Sequence, residues 1–169
     1  MAYADDSPRP RRMREPDALP FVPGMAGVVM DPSRIFQPGA FTSGGAGMVG
    51  TAGDVIALLE AVTGGSVPLL SPESVAEMGR DQIEGIAIEG SPGWGYGLGF
   101  SVLRDPAAAG VADAPGAWRW GGAYGHSWLF DRERGVTLVA LTNTAFEGMW
   151  SGGRFPADLG RALSAAVSG

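Results

Sequence analysis

The run Gly125-His126-Ser127-Trp128-Leu129 sets a hydroxyl beside the only histidine of the chain. It approaches the Gly-x-Ser-x-Gly elbow, in which a serine on a sharp strand-to-helix turn becomes a nucleophile. Leucine stands where the last glycine is needed, and Ser127 begins a predicted strand that enters a hairpin, so no elbow is expected. Neighbouring strand residues point to opposite faces, which separates the imidazole from the hydroxyl. A triad histidine would also have to come from a distant segment, and none exists. His126 keeps two readings, a substrate-side residue or a hydrogen-bonded structural one.

Other chemistry fails sooner. All 12 basic residues are arginine, which removes a Schiff-base lysine, a P-loop lysine and a serine paired with a lysine base. Zero cysteines and one histidine leave no thiolate nucleophile and no usual metal-ligand set; neither metal nor cofactor is expected. Gly45-Ala46-Gly47-Met48-Val49-Gly50 matches Gly-x-Gly-x-x-Gly and opens a helix, but the stretch before it is not a buried strand and no βαβ unit follows. Asp54, Glu60, Asp131 and Glu133 show no spacing of a paired-carboxylate site. The net charge of −6 argues against a nucleic-acid surface. An acidic amino terminus, with no apolar run near 18 residues, predicts a soluble, cytoplasmic chain without a membrane partner.

The elements that must position any site follow from caps and periodicity. Residues 1 to 40 carry seven prolines and read as an extended, mostly irregular arm. Its apolar residues Leu19, Phe21, Val22, Val28, Val29, Met30, Ile35 and Phe36 suggest that it lies across a surface. Thr51 with Asp54 marks a helix start, Gly64-Gly65 its end, and Ser71-Pro72-Glu73 a second start. Trp94, Tyr96, Leu98 and Phe100 alternate with glycines, so something must pack on the bare face. Trp118 to Gly121, Gly125 to Asp131 and Val136 to Thr142 read as strands, the last two joined by Asp131-Arg132-Glu133-Arg134-Gly135. A helix from Pro156 to about Val167 would bury Leu159, Ala162, Leu163 and Ala166. The aromatic set Trp94, Tyr96, Phe100, Trp118, Trp120, Tyr124 and Trp128 suits a core better than a pocket.

Taken in order, Ser43 to Asp54 with its helix, Leu70-Ser71-Pro72-Glu73, Gly95-Tyr96-Gly97-Leu98-Gly99-Phe100, Trp120-Gly121-Gly122-Ala123-Tyr124-Gly125-His126 and Gly135 to Asn143 resemble the C-terminal half of class C-type serine β-lactamase-related proteins. That superfamily also holds penicillin-binding proteins and family VIII-type esterases. The resemblance implies an α+β fold: a partial β-lactamase-like domain over residues 41–169, with an antiparallel sheet of three to four strands flanked by helices, preceded by the arm at 1–40. It also implies a serine in Ser-x-x-Lys, a Tyr-x-Asn element and a Lys-Thr-Gly-like strand. Trp120-Gly121-Gly122 stands where that strand would be, and in that register the resemblance implies that the N–H of Ala123 would be the strand donor of the oxyanion hole. Trp120, Gly121, Gly122, Ala123, Tyr124 and His126 are thus the candidate substrate-side residues. Gly121 and Gly122 would let substrate backbone approach, or would form a bulge in an edge strand.

The first two elements have no counterpart. Ser-x-x-Lys cannot exist without lysine, and Tyr3, Tyr96 and Tyr124 are followed two positions later by Asp5, Leu98 and His126. Residue 1 is expected to lie beyond both elements, and no residue here is assigned a catalytic role. The expected function is therefore the substrate-side strand and part of the oxyanion hole for hydrolysis of a small ester or amide, inactive alone. A non-catalytic binding module or remnant that pairs with another chain is the alternative. The strand from Val136 to Thr142 would be an open apolar edge, so the expected partner is an N-terminal-half polypeptide or, in a homo-oligomer, a second copy.

Overall fold

In a computed structural model of the chain, the residues described are 2–5, 7–20, 24, 26–45, 47–149 and 154–167. Phe21, Val22 and Ala46 lie outside them. Local signals set the helix starts. Helix α1, Ala52–Thr63, begins at a full capping box: Thr51 Oγ1 accepts from the Asp54 N–H at 3.2 Å, and Asp54 Oδ2 accepts from the Thr51 N–H at 2.7 Å. Two donors that a helix start leaves orphaned are thereby satisfied. The helix ends at Gly64, whose φ of 98° is left-handed, a conformation that costs glycine little. Helix α2, Pro72–Gly79, starts from Ser71, which accepts from the Ser74 N–H.

The arm contains more structure than its prolines predict. Strands β1, Asp17–Leu19, and β2, Val28–Met30, form a small antiparallel sheet, and Pro32–Phe36 makes a 3-10 turn. Leu19 and Met30 are buried against Met13 and Ala145, whereas Val28, Val29, Ile35 and Phe36 are exposed. Only part of the arm's apolar set therefore covers a surface.

The main sheet has five antiparallel strands in sequential order: β3 Trp94–Tyr96, β4 Ser101–Leu103, β5 Trp118–Gly122, β6 His126–Asp131 and β7 Val136–Leu141. The count exceeds three to four because the alternating segment from Trp94 to Phe100 does not run on as one strand. It turns between Gly97 and Phe100, where the Gly97 N–H donates to Phe100 O at 2.8 Å. A short helix α3, Pro106–Ala109, occupies the predicted loop, and α4 spans Arg154–Val167, starting two residues before Pro156.

The pleat divides the core. Val102, Trp118, Trp128 and Phe130 pack with Val75 of α2 and Val62 of α1. Leu103, Leu129 and Leu138 face the other way, onto Ala109 of α3 and Leu163 of α4. Ala162 and Ala166, expected on the buried face of α4, are exposed. The aromatic residues are mostly core: Phe100 stacks on Trp118 at 4.3 Å between ring centroids, and Trp118 lies 5.3 Å from Phe130.

The bare glycine faces are filled. A Cβ on Gly95 would meet the Arg104–Asp81 ion pair, and one on Gly97 would meet the carbonyl of Met78. Gly79, the last residue of α2, lets the helix end reach Trp118, whose Cζ2 would stand 2.7 Å from an added Cβ. Inside a helix, alanine in place of glycine ordinarily stabilises by about 0.5–1 kcal/mol. Here Gly79→Ala is expected to lower the urea midpoint instead, by about 1–3 kcal/mol of overpacking. A raised midpoint would mean that α2 does not rest on Trp118.

Candidate functional site

Strands β5 and β6 pair in register from Trp118↔Phe130 to Gly122↔His126. The alternation puts Trp120, Gly122, His126 and Trp128 on the face covered by α1 and α2 and Arg119, Gly121 and Ser127 on the face covered by α4. Trp120 is 37% exposed at the sheet end, in edge contact with Tyr96 at 5.4 Å.

A three-residue loop joins the strands. The Gly125 N–H donates to Gly122 O at 2.9 Å, and Gly125 has a φ of 86°, the left-handed position that closes such hairpins. The Gly122 carbonyl and the Ala123 N–H belong to one planar trans peptide and point in opposite directions. With the carbonyl turned into the loop, the N–H is turned out of it. No described residue accepts a hydrogen bond from that N–H. The Ala123 carbonyl, by contrast, accepts from the Phe146 N–H at 2.9 Å. Tyr124 is 41% exposed, and its hydroxyl accepts from the Asp31 N–H at 3.0 Å, which ties the arm to the loop.

The two strand glycines serve the chain's own packing at their Cβ positions. The space that a Gly121 Cβ would take holds the carbonyl of Gly148, and the space at Gly122 holds the His126 ring, with Nε2 at 2.6 Å and Nδ1 at 2.7 Å from the added carbon. Neither ring nitrogen of His126 has a hydrogen-bond partner among the described residues. Burial pushes the imidazole pKa below its ordinary value, because a charged ring loses more hydration than a neutral one. The neutral ring is therefore the favoured form at pH 7.

Ser127 stands on the opposite face, 5% exposed. It lines a cavity of about 10 Å³ under α4 with Arg119, Leu138 and Leu163. The predicted separation from His126 holds, and Ser127 has no base beside it among the described residues. Sequence reasoning passed over Arg119, whose side chain is 5% exposed; its Nη2 donates to Asp113 Oδ2 at 2.6 Å and its Nη1 to Pro156 O at 3.1 Å. Its only sequence signal is a charge on the face of a strand whose neighbours on both sides are tryptophan. Among the described residues no group of three or more His, Cys, Asp or Glu side chains could hold a metal, and no helix is long and apolar enough to cross a membrane.

A family model described as Beta-lactamase matches residues 2–158. Esterase EstB of Burkholderia gladioli is 48% identical over 149 residues, which cover 87% of this chain and 38% of the esterase. An uncharacterized protein of Mycobacterium tuberculosis is 33% identical over 127 residues, 67% of this chain and 31% of that protein. The solved structure of EstCE1, a hydrolase with promiscuous acyltransferase activity, superposes with a TM-score of 0.84 at 40% identity, covering 96% of this chain and 42% of that one. The chain thus spans about two fifths of the EstB and EstCE1 lengths.

Two measurements check the glycine and histidine assignments. Gly121→Ala, opposed by backbone, is expected to lose more stability in urea than Gly122→Ala, opposed by a ring that can rotate away. Equal losses would contradict the packing described. For His126 an unfolded imidazole titrates near 6.5, and the folded one lower. Between those values the unfolded chain binds more protons, so stability is complete above about 6.5 and falls as pH drops toward the folded value. The His126 ring resonances should titrate below 6.5, and His126→Gln should flatten that part of the pH–stability curve; a midpoint at or above 6.5 would refute the assignment.

Proposed function

The chain belongs to the beta-lactamase family, and from that premise we propose that it supplies the substrate-side strand and one oxyanion-hole donor for serine-dependent hydrolysis of an ester or amide. The single observation that supports this most is the outward-turned Ala123 N–H, without a protein partner among the described residues, where the strand that presents Trp120 passes into the loop that presents Tyr124. When a serine oxygen adds to a substrate carbonyl, the carbonyl oxygen gathers negative charge. A fixed N–H aimed at that oxygen stabilises the transition state more than the ground state. Trp120 and the neutral His126 bring no charge to this wall, which suits an uncharged ester. Relatives named as an esterase and as a hydrolase with acyltransferase activity support ester chemistry over β-lactam chemistry.

The nucleophile and base of the Ser-x-x-Lys pattern are not among these 169 residues, since the chain has no lysine. In the proposed reading they come from further polypeptide, continuous with this chain or separate from it, and the chain by itself is inactive. The same polypeptide, or a second copy of the chain, is proposed to pair with β7, whose outer edge has no strand partner among the described residues and whose Leu141 is 52% exposed. That edge would equally serve a non-catalytic module that pairs with another chain.

The chain is to be assayed with a nitrophenyl ester and a chromogenic cephalosporin, alone and co-expressed with the Ser-x-x-Lys-bearing segment of an esterase relative. Ester turnover is expected only in the co-expressed sample, in a species that elutes as a complex from gel filtration. Ala123→Pro, which removes the N–H, should then lower kcat by about 10²–10³, while Ser127→Ala leaves it unchanged. Turnover by the chain alone would overturn the reading. Complex formation without turnover would select the binding module.

A further inference from the structure

The peptide that carries the Ala123 N–H is oriented by a chain of hydrogen bonds that begins beyond β7. The Thr142 hydroxyl donates to Gly125 O at 2.8 Å, and the Thr142 N–H donates to the same oxygen at 2.9 Å. The Gly125 N–H in turn donates to Gly122 O, which shares its peptide plane with the Ala123 N–H. Thr142 Oγ1 also accepts from the Thr144 N–H at 3.4 Å. That contact links the loop to the segment whose Phe146 N–H donates to Ala123 O. Phe146 has a φ of 63°, an uncommon conformation for a bulky residue, and it delivers that donor.

Fit at this point is tight. A Cβ on Gly125 would stand 2.5 Å from Thr142 Oγ1, so hydroxyl and loop meet without a side chain between them. The segment is itself held from below. The Tyr3 N–H donates to Asn143 O at 2.7 Å and the Ala145 N–H donates to Tyr3 O at 2.9 Å. The segment after β7 is thus anchored to the arm, and it reaches the loop through the threonine's pair of donors and through the Phe146 N–H.

We propose that Thr142 is a positioning residue for the Ala123 amide: its hydroxyl, bound to Gly125 O and to the Thr144 N–H, holds the β5–β6 loop in the orientation that turns the Ala123 N–H outward. The proposal rests on reading that N–H as an oxyanion donor for its purpose, but not for its geometry. Loss of the hydroxyl leaves Gly125 O with one donor and the Thr144 N–H with no acceptor, so the loop gains freedom while the strands keep their ladder.

The test compares Thr142→Val, which keeps the shape and removes the hydroxyl, with Thr142→Ser, which keeps the hydroxyl. Backbone ¹⁵N relaxation on the full chain reads the Ala123 amide directly. In the valine variant its order parameter is expected to fall from about 0.85 to below about 0.6, with strand amides unchanged; serine restores it. An unchanged value in Thr142→Val, equal loss in both variants, or loss spread over the whole sheet would overturn the proposal. Thr142→Ala carries the same comparison if the valine variant does not fold. In the co-expressed assembly Thr142→Val should lower kcat on the order of tenfold with little change in KM. Absence of turnover in the unsubstituted assembly would overturn the functional reading, while the amide measurement would still decide the role of Thr142.

Discussion

At the end of β5 the backbone of Gly121 lies against the backbone of Gly148, and no side chain fits between them. Gly148 in turn sits against the carbonyl of His126, with Ser127 Cβ only 3.1 Å from where a Cβ of its own would be. This approach of main chain to main chain brings the segment after β7 under the β5–β6 loop. It places the Phe146 N–H within reach of Ala123 O, and it lets Ala145 join the apolar cluster of Met13, Leu19 and Met30. The His126 ring closes the opposite side of Gly122. The strand end is thus enclosed on both faces by the chain's own atoms, and the backbone N–H of Ala123 just beyond it, unpaired among the described residues, is turned outward.

The same strand carries a charge through the core. Arg119 and Asp113 are 5% and 1% exposed at their side chains, and their contact at 2.6 Å is joined by Arg134 at 3.7 Å. Burial of two charges costs several kcal/mol of hydration for each, so such a pair contributes little net stability and gains more in fixed geometry than in energy. The geometry here is specific. Arg119 bonds Pro156 O of α4, faces the Trp94 ring at 5.7 Å, and needs Gly160 bare, since a Cβ there would lie 2.7 Å from Nη2. Asp113 Oδ1 and Arg119 Nε have no hydrogen-bond partner among the described residues, and the adjacent cavity of about 10 Å³ has the volume of a single water. One charged residue next to Trp120 therefore locks α4, the 104–117 loop and β5 to one another.

What could be read from sequence follows the range of the forces involved. Helix caps are short-range: Thr51 with Asp54 and Ser71 with Pro72 act within one turn, and both starts were legible. The β6–β7 hairpin was legible because its turn residues adjoin strands of clear composition. The split at Gly97–Phe100 was not, since alternation continues through a turn that only the Gly97–Phe100 hydrogen bond reveals. Gly121 and Gly122 were legible as positions that need bare backbone, but the atoms that fill their Cβ positions were not. Their neighbours, Gly148 and His126, are set by tertiary register. Arg119 and Thr142 were invisible because a buried ion pair and a side chain to main chain hydrogen bond leave no periodic mark.

The arm and β7 show the same logic at the scale of the fold. Tyr3 bonds to Asn143 and Ala145, just past the end of β7, so the arm supports the candidate loop at a long sequence distance, costly to organise. Beside that contact β7 itself runs Val-Thr-Leu-Val-Ala-Leu with α1 on one face and, among the described residues, no strand on its edge. It has none of the lysines, prolines or bulges by which natural sheets protect an edge. Part of the arm thus braces the loop through Tyr3 and Asp31, while the last strand carries no such protection along its edge. Under the proposed reading the polypeptide that covers it also brings the lysine and serine this chain lacks, so one interface would complete both the sheet and the site.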